Sequence, residues 1–370
     1  MATMLKRLTI ITITLLTALA LTACGTPEGD SDEAGGRVIT DSLGREVSVP
    51  ETVESIVVLG NAPRMAVYLG LGDMVAGYSG MSSGDISPLT AYAYVTRDAW
   101  ADKSVVGTDS SGSTSYNSEA IILTGADVIF CTATADVADR LQRETGIPCL
   151  ALEQGTLFGE DFERSLAIMA GACGVTERAE EISAYVDECF AELESLTADI
   201  PEAERPSVLS AAATFRGPHG IEGIRVNDPV MLSVNALNLA DDGSEGAQSY
   251  TVDKEQILAW DPEYIFLDSG GVALVRQDYA AHPDYYAGLS AFNSGRIYQY
   301  PSSTSYYDNM EISLANCYFV GSVLYPERFA GVDFEEKAAE IFGFFLGEEG
   351  YMDVLAEYGA YYGAVDISDE

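Results

Sequence analysis

The chain has 370 residues and carries 58 acidic against 19 basic side chains, a formal net charge of −39. A surface this acidic repels nucleic acids and anionic membranes, so we expect neither as a partner. The length suffices for two domains with sizeable cores. Only two histidines are present, and no CxxC motif occurs, which disfavours a site of His and Cys metal ligands.

The N-terminus has the pattern of an export signal. Lys6 and Arg7 precede an apolar run at residues 8–20, and Leu21-Thr22-Ala23-Cys24 follows. The small residues before Cys24 resemble a bacterial lipobox, in which the thiol is lipidated and becomes the mature N-terminus. We therefore predict a signal peptide at 1–23 and an acidic flexible tether at 24–37. The chain is expected to be extracytoplasmic and anchored to the cell membrane through Cys24.

The next stretch, residues 38–174, alternates short apolar runs with helical patterns. A hairpin at 38–53 comes first. Strands are predicted at 55–59, 75–78, 105–106, 128–131 and 149–152, and helices at 62–71, 118–123, 136–144 and 160–173. Such alternation predicts an α/β lobe with a mostly parallel sheet. Five cysteines remain beyond Cys24, an odd number, so we expect buried free thiols and leave open whether two of them pair.

Residues 175–199 predict one long uninterrupted helix. The stretch lacks Gly and Pro, and Pro201 follows it. Its apolar residues recur at helical spacing: Ile182, Val186, Cys189, Phe190, Leu193 and Leu196. We interpret this helix as a strut between two lobes.

Residues 200–370 show the same alternation of short strands and helices as residues 38–174. Strands are predicted at 207–211, 264–267 and 297–299, and helices at 311–324, 334–345 and 351–357. Ser249-Tyr250 precedes a helix and a strand, as Ser115-Tyr116 does in the first half. The predicted fold is α/β, with two Rossmann-like lobes joined by a single long α-helix. Ligands of such sheets bind beyond the carboxyl ends of the strands.

Five short motifs carry a resemblance to a known family. They are Asp41-x-x-Gly44-Arg45, Leu69-Gly70-x-x-Asp73, Asp261-Pro262-Glu263-Tyr264-Ile265, Gly295-Arg296-Ile297-Tyr298 and Leu324-Tyr325-Pro326-Glu327. The chain resembles the substrate-binding lipoproteins of ABC importers for ferric siderophores, haem and cobalamin, of the class III periplasmic-binding-protein type. The resemblance implies a monomeric receptor without enzymatic activity or cofactor. It also implies ABC permease and ATPase subunits as partners.

The candidate ligand contacts lie in or beside polar loops. Arginine forks bind two anionic oxygens at once and stay charged when desolvated, which suits a ferric siderophore. Tyrosine and phenylalanine stack on ligand rings. The candidates are Arg64, Tyr78, Tyr116, Phe215, Arg216, His219, Tyr250, Arg276, Tyr306 and Tyr307. Arg216 is the strongest, because it follows a strand within Thr-Phe-Arg-Gly-Pro-His-Gly.

Other ligands and roles stay open. Haem needs an axial His or Tyr, for which His219 and Tyr306 are available. Cobalamin or an oxyanion such as molybdate are further alternatives. In the resembled family an acidic residue on each lobe contacts the permease. Asp136 resembles the first of these by position, although Glu is usual there, whereas the corresponding helix start of the second lobe, Gly271-Val272-Ala273, lacks a carboxylate and Asp278 is a poor substitute.

One motif indicates an unrelated chemistry. Gly80-Met81-Ser82-Ser83-Gly84 matches the nucleophile elbow of serine hydrolases, which requires a helix directly after the serine. Asp85-Ile86-Ser87-Pro88 follows instead. A hydrolase using Ser82 and His219 is therefore a remote alternative.

Overall fold

A hairpin opens the part of the chain that the structure describes. The computed structural model describes residues 36–81, 86–110, 113–244 and 246–367. The predicted signal peptide, Cys24, most of the tether and Ser82 lie outside these residues. The hairpin strands are β1 (Gly36–Thr40) and β2 (Glu46–Pro50), paired antiparallel.

The first sheet has six strands among the described residues. They are β3 (Ile56–Leu59), β4 (Val75–Met81), β5 (Ser104–Ser110), β6 (Ser113–Tyr116), β7 (Val128–Thr132) and β8 (Cys149–Leu152). Their order is β6-β5-β4-β3-β7-β8, and all pairs are parallel except β5 with β6. Strand β3 is central and wholly buried, as its sequence Ile-Val-Val-Leu predicts. We call the part built on this sheet the first lobe.

The second sheet has seven strands within the described ranges. They are β9 (Ser207–Ala211), β10 (Gly223–Val226), β11 (Leu237–Asn238), β12 (Gln248–Thr251), β13 (Tyr264–Asp268), β14 (Ile297–Tyr300) and β15 (Gly363–Ala364). The order is β12-β10-β9-β13-β14-β15, with β11 paired to β9. Strands β9, β13 and β14 are parallel, whereas β10, β12 and β15 join antiparallel. We call the part built on this sheet the second lobe.

Helices cover both sheets. In chain order they are α1 (Ala62–Tyr68), α2 (Ala91–Thr96), α3 (Ser118–Thr124), α4 (Ala135–Thr145), α5 (Glu160–Cys173), α6 (Thr176–Thr197), α7 (Pro229–Ser233), α8 (Lys254–Trp260), α9 (Val272–Ala281), α10 (Pro283–Tyr286), α11 (Ser290–Ser294), α12 (Met310–Leu324), α13 (Phe334–Leu346) and α14 (Tyr351–Glu357). Two short 3₁₀ turns lie at Gly72–Met74 and Glu202–Glu204.

Helix α6 is the long element between the sheets in chain order. It has 22 residues and lies between the last strand of the first sheet and the first strand of the second. One stripe of α6 is buried, formed by Ala179, Ile182, Val186, Cys189, Leu193 and Thr197. The burial follows the helical period of the sequence, because one face packs on the protein and the other meets solvent.

Helix α12 is the most deeply buried helix described. Every residue from Met310 to Gly321 is buried, including the polar Glu311, Ser313 and Asn316, so the helix is enclosed around its whole circumference. It belongs to a core that continues from Ile56 and Met65 in the first lobe to Phe266 in the second. The two sheets are separate, but the lobes share this core. The sequence pattern predicted that α6 joins the two lobes. In the structure α12, rather than α6, is the helix that is most completely buried between them.

Several predicted loops contain antiparallel strands. The Ser-, Thr- and Asp-rich composition of residues 108–117 and 241–250 predicts loops there. In the structure the first stretch includes the end of β5 and all of β6, and the second runs into β12. Their Ser, Thr and Tyr residues suit an exposed edge strand as well as a loop, so composition did not separate the two. The five cysteines described are free.

Candidate functional site

A cleft of about 370 Å³ lies between the two lobes. The first lobe contributes Asp109 and Ser110 at the end of β5 and Gln154 after β8. The second lobe contributes two segments, which follow β9 and β14: Thr214, Phe215, Arg216 and Gly217, and Thr304, Ser305, Tyr306 and Tyr307. The cleft therefore lies beyond the carboxyl ends of parallel strands, where ligands of α/β sheets bind.

A buried ion pair organises the second-lobe wall. Asp268, at the end of β13, is fully buried and lies 2.8 Å from the Arg225 guanidinium. The hydroxyls of Thr214 and Ser302 also donate to Asp268, at 3.1 and 2.9 Å. One carboxylate thus fixes the starts of both cleft segments. Arg225 pairs with Asp268 and is not in the described lining of the cleft, so its role is to hold this carboxylate in place.

Three cleft residues hold unusual backbone conformations. The backbone φ angles of Arg216, Tyr306 and Tyr307 are 52°, 45° and 74°. These values lie in the left-handed region, which residues other than Gly rarely adopt. Such conformations cost roughly 1–3 kcal/mol each and cluster at binding sites. Here they occur in adjoining segments of one wall and set the direction of an arginine and two tyrosines.

The first-lobe wall includes a buried carboxylate. Asp109 is only 2% exposed and accepts hydrogen bonds from the hydroxyls of Ser79, at 2.8 Å, and Thr114. Burial raises the pKa of Asp109, although both hydroxyls oppose the rise. The Tyr307 side chain also bonds those of Thr114 and Thr132, so a second-lobe tyrosine contacts the first lobe. The cleft walls meet at this point.

Comparison with known protein families decides the identity of this fold. A family model described as "Periplasmic binding protein" matches residues 62–304, which run from α1 of the first lobe to Thr304 of the second and include the cleft segment at residues 214–217. The chain belongs to this family. Its members bind solutes for ABC transporters outside the cytoplasm, so the chain is a solute-binding protein and not an enzyme.

Solved structures of binding proteins share the fold. A periplasmic solute-binding protein from Veillonella parvula has a TM-score of 0.66 at 21% identity, over 85% of this chain and 93% of that chain. The molybdate-binding protein MolA of Haemophilus influenzae gives 0.63 at 18%, over 84% and 98%. A protein of an Fe³⁺-hydroxamate transport system from Saccharomonospora viridis gives 0.51 at 21%, over 78% and 99%. Curated proteins provide no significant match.

Four of the predicted contacts line the cleft of this binding protein: Phe215, Arg216, Tyr306 and Tyr307. His219 lies behind Phe215, with the two rings stacked 3.8 Å apart, and its Nδ1 is 3.2 Å from the Ala213 carbonyl oxygen. His219 thus supports the Phe215 ring and is not among the described residues that line the cleft.

Arg64 is not the exposed ligand contact that the sequence predicted. Its side chain is fully buried, because it lies in α1 beneath the start of α12. The guanidinium donates to the Tyr306 carbonyl at 2.7 Å and to Asn309 Oδ1 at 3.1 Å, and also to Asn61. It lies 4.8 Å from the centre of the Tyr92 ring. Arg64 therefore connects the lobes under the cleft.

The other predicted contacts lie elsewhere. Tyr78 lines a separate cavity of the first lobe, and Tyr116 lines a third cavity and accepts a 2.8 Å hydrogen bond from Arg140. Tyr250 is on the edge strand β12, paired with Ile224. Arg276 is on α9, 3.3 Å from the Asp366 carbonyl oxygen. None of these four belongs to the described lining of the cleft. Tyr116 and Tyr250 are on antiparallel strands and Arg276 is on a helix, while Tyr78 is on the parallel strand β4 but lines the other cavity.

The two predicted docking carboxylates differ in availability. Asp136 is exposed in the first turn of α4. Asp278, in contrast, pairs with Lys254 and accepts a hydrogen bond from the Tyr286 hydroxyl. Both partners keep the pKa of Asp278 below its ordinary value, despite partial burial. Asp278 is thus satisfied within its own lobe.

Gln154 was not among the residues predicted from the sequence, although its loop follows β8 as the other cleft loops follow their strands. That position after a buried strand was the available signal. Asp109 fell within a predicted polar loop but was not singled out, because 58 acidic residues make any one of them inconspicuous. Among the described residues no cluster of three or more His, Cys, Asp or Glu has the arrangement of a metal site, and no helix has the length and apolarity of a membrane span.

Proposed function

We propose that this periplasmic binding protein captures an anionic metal complex, a ferric siderophore, in the cleft and delivers it to an ABC permease. The observation that carries the proposal is the placement of Arg216 beside Phe215, Tyr306 and Tyr307 in one wall of the cleft. A guanidinium suits the anionic oxygens of such a complex, and the aromatic rings suit its organic periphery.

The size of the cleft supports a ligand larger than an oxyanion. A volume of about 370 Å³ lies within the range of roughly 300–1,000 Å³ that is usual for small-molecule sites. One neighbour in fold comes from an Fe³⁺-hydroxamate transport system and another binds molybdate. A cleft that is larger than an oxyanion needs and has aromatic walls favours a ferric hydroxamate over molybdate. Haem, cobalamin and molybdate are the alternatives to be tested.

Calorimetric titration of the purified protein tests the ligand class. The panel is a ferric hydroxamate, a ferric catecholate, haemin, cyanocobalamin and molybdate, with each iron-free siderophore as a control. We expect saturable binding of one ferric siderophore and no turnover in an ester-hydrolysis assay run beside it. Tight binding of haemin, cyanocobalamin or molybdate alone would replace the siderophore by that ligand. Ester hydrolysis would support the hydrolase alternative.

Arg216→Ala tests the arginine itself. Loss of a charged hydrogen bond costs about 1.5–3 kcal/mol, or roughly 10- to 150-fold in affinity for the ferric siderophore. Arg276→Ala is the matched control, because Arg276 lies on α9 away from the cleft. Its affinity should equal that of the wild type. Equal affinity in both variants would remove Arg216 from the site.

The anchor and the permease contact are parts of the same proposal. Cys24 would carry the lipid. Labelling of cells with radioactive palmitate tests this: the label should appear on the wild-type protein and disappear in Cys24→Ser. Asp136 would contact the permease from the first lobe, since its carboxylate is exposed. Asp136→Arg should then reduce uptake into cells while ligand affinity stays unchanged. Normal uptake with this variant would exclude Asp136 as a docking residue.

A further inference from the structure

The first lobe contains a second cavity, separate from the cleft. It has a volume of about 210 Å³ and lies between α2 and strands β4 and β5. We call it the α2 cavity, and the residues of its lining that matter here are Tyr78, Tyr92, Ala93, Arg97, Trp100 and Val105. Among the described residues, none that lines this cavity also lines the cleft. A substitution at a residue that lines only one of the two spaces, such as Arg97 or Arg216, therefore keeps the lining residues of the other.

Three aromatic rings form the walls of the α2 cavity. Trp100 and Tyr92 are 3% and 4% exposed, so both rings are held firmly. The Trp100 ring lies 5.1 Å from that of Tyr78, inclined at 48°. Aromatic walls favour a planar ring, through stacked or edge contacts. The volume is adequate, because a cavity of about 150 Å³ with apolar walls binds benzene.

Arg97 is the one charged residue in the described lining of this cavity. Its guanidinium stacks on the Tyr94 ring at 4.0 Å and donates a hydrogen bond to the Tyr94 carbonyl. Its contact with Asp98 is long, at 3.8 Å, and the Asp98 side chain is 91% exposed. A solvent-exposed pair of this kind is weak and easily exchanged. The five N–H donors of the guanidinium can then hold a carboxylate through two of them.

We propose that the α2 cavity is a binding site for a monocyclic aromatic carboxylate. The ring lies among Tyr78, Tyr92 and Trp100, and the carboxylate pairs with Arg97. This site is additional to the metal-complex site in the cleft and does not depend on it. No covalent step is involved.

Benzoate is the probe, and Trp100 is the reporter. The chain has two tryptophans, so Trp260→Phe leaves Trp100 as the only one. In this variant benzoate should change the indole emission saturably. Benzamide, which has the ring without the charge, should bind at least about 10-fold more weakly. Acetate should give no change. Absence of a saturable change with benzoate up to about 10 mM overturns the proposal.

Two substitutions locate the benzoate. Ala93→Met fills the cavity and should abolish the emission change, while Arg97→Gln should weaken benzoate binding by about 10-fold or more and leave benzamide unaffected. The Arg97 side chain is partly exposed, so we expect Arg97→Gln to fold. This variant therefore still tests the site if Ala93→Met does not fold. Unchanged benzoate affinity in Arg97→Gln overturns the proposal.

Crossed controls separate this site from the cleft. Arg216→Ala should leave benzoate binding unchanged, and Arg97→Gln should leave binding of the ferric siderophore unchanged. Loss of benzoate binding in Arg216→Ala would place the benzoate in the cleft and overturn the α2 site. Failure of every metal complex to bind would remove the proposed cleft ligand without affecting the benzoate result.

Discussion

At the scale of single residues, burial changes Arg64 from a predicted ligand contact into a structural contact between the lobes. The sequence places it in a polar segment after a strand, which suits an exposed ligand contact. In the fold its guanidinium is enclosed and donates to Asn61, Asn309 and the Tyr306 carbonyl. Arg64 therefore positions the Tyr306 segment from below. Arg216 keeps its exposure because its segment ends at the mouth of the cleft.

Replacement of Arg64 by methionine should destabilise the protein. Methionine fills similar space but leaves three acceptors without their donor: the buried Asn61 and Asn309 side chains and the partly buried Tyr306 carbonyl. We expect the free energy of unfolding to fall by about 2–4 kcal/mol, measured by urea denaturation. Arg143→Met is the matched control, since Arg143 is exposed on α4 and its change should stay within about 0.5 kcal/mol. Equal stability of the two variants would contradict the role assigned to Arg64.

A second buried group near Arg64 belongs to the same junction. Glu311, in the first turn of α12, is fully buried and accepts a hydrogen bond from the Tyr68 hydroxyl. Burial raises the pKa of Glu311, while the nearby charge of Arg64 and the bond from Tyr68 oppose the rise. Tyr68 is on α1 and Glu311 on α12, so this bond is another direct link between the lobes.

At the scale of elements, α12 depends on close approach at one glycine. A Cβ added to Gly321 would lie 2.2 Å from the Phe329 ring. Phe329 is 3% exposed, so the ring has little room to withdraw. The packing of α12 against the segment that follows it therefore requires the missing side chain.

The same substitution in two helices should have opposite effects. Gly321→Ala should lower the free energy of unfolding by about 1–3 kcal/mol, because it overpacks the core. Gly171→Ala, in α5, meets nothing within 4 Å and should raise it by about 0.5–1 kcal/mol through helix propensity. Urea denaturation measures both. A stabilised Gly321→Ala would show that Phe329 can move aside.

At the scale of the whole molecule, the lobes are joined by more than α6. They share one apolar core, and several hydrogen bonds cross the junction: Arg64 to Tyr306, Tyr351 to the Pro88 carbonyl at 2.6 Å, and Thr90 with Ser305 at 2.6 Å. A wide hinge motion would break these contacts and expose part of the core. The cleft is therefore largely formed before a ligand arrives.

Ligand binding should change the overall dimensions only slightly. We expect the radius of gyration, measured by solution scattering with and without the ferric siderophore, to change by less than about 1 Å, as in other preorganised complexes. The iron-free siderophore serves as the control. A decrease of several ångströms would mean that the shared core does open, and the rigid description would be wrong.

Local pattern accounted for much of the secondary structure. The periodicity of apolar residues predicted α5 at 160–173 and α14 at 351–357 with the bounds that the structure has. Antiparallel additions to the sheets, such as β6 and β12, were read as loops because their pairing partners are set by the fold. Of the ten candidate ligand contacts, Phe215, Arg216, Tyr306 and Tyr307 line the cleft. The other six do not belong to its described lining: Arg64, Tyr78, Tyr116, His219, Tyr250 and Arg276.

The sequence by itself determined the α/β class and predicted four of the residues that line the cleft, because both follow from patterns along short stretches of the chain. Apolar periodicity selects helices and strands, and polar segments after parallel strands collect at one edge of a sheet. Only the tertiary structure decided that Arg64 is buried and that both lobes share α12. Burial is set by what packs from distant parts of the chain, and no local window of sequence contains that information.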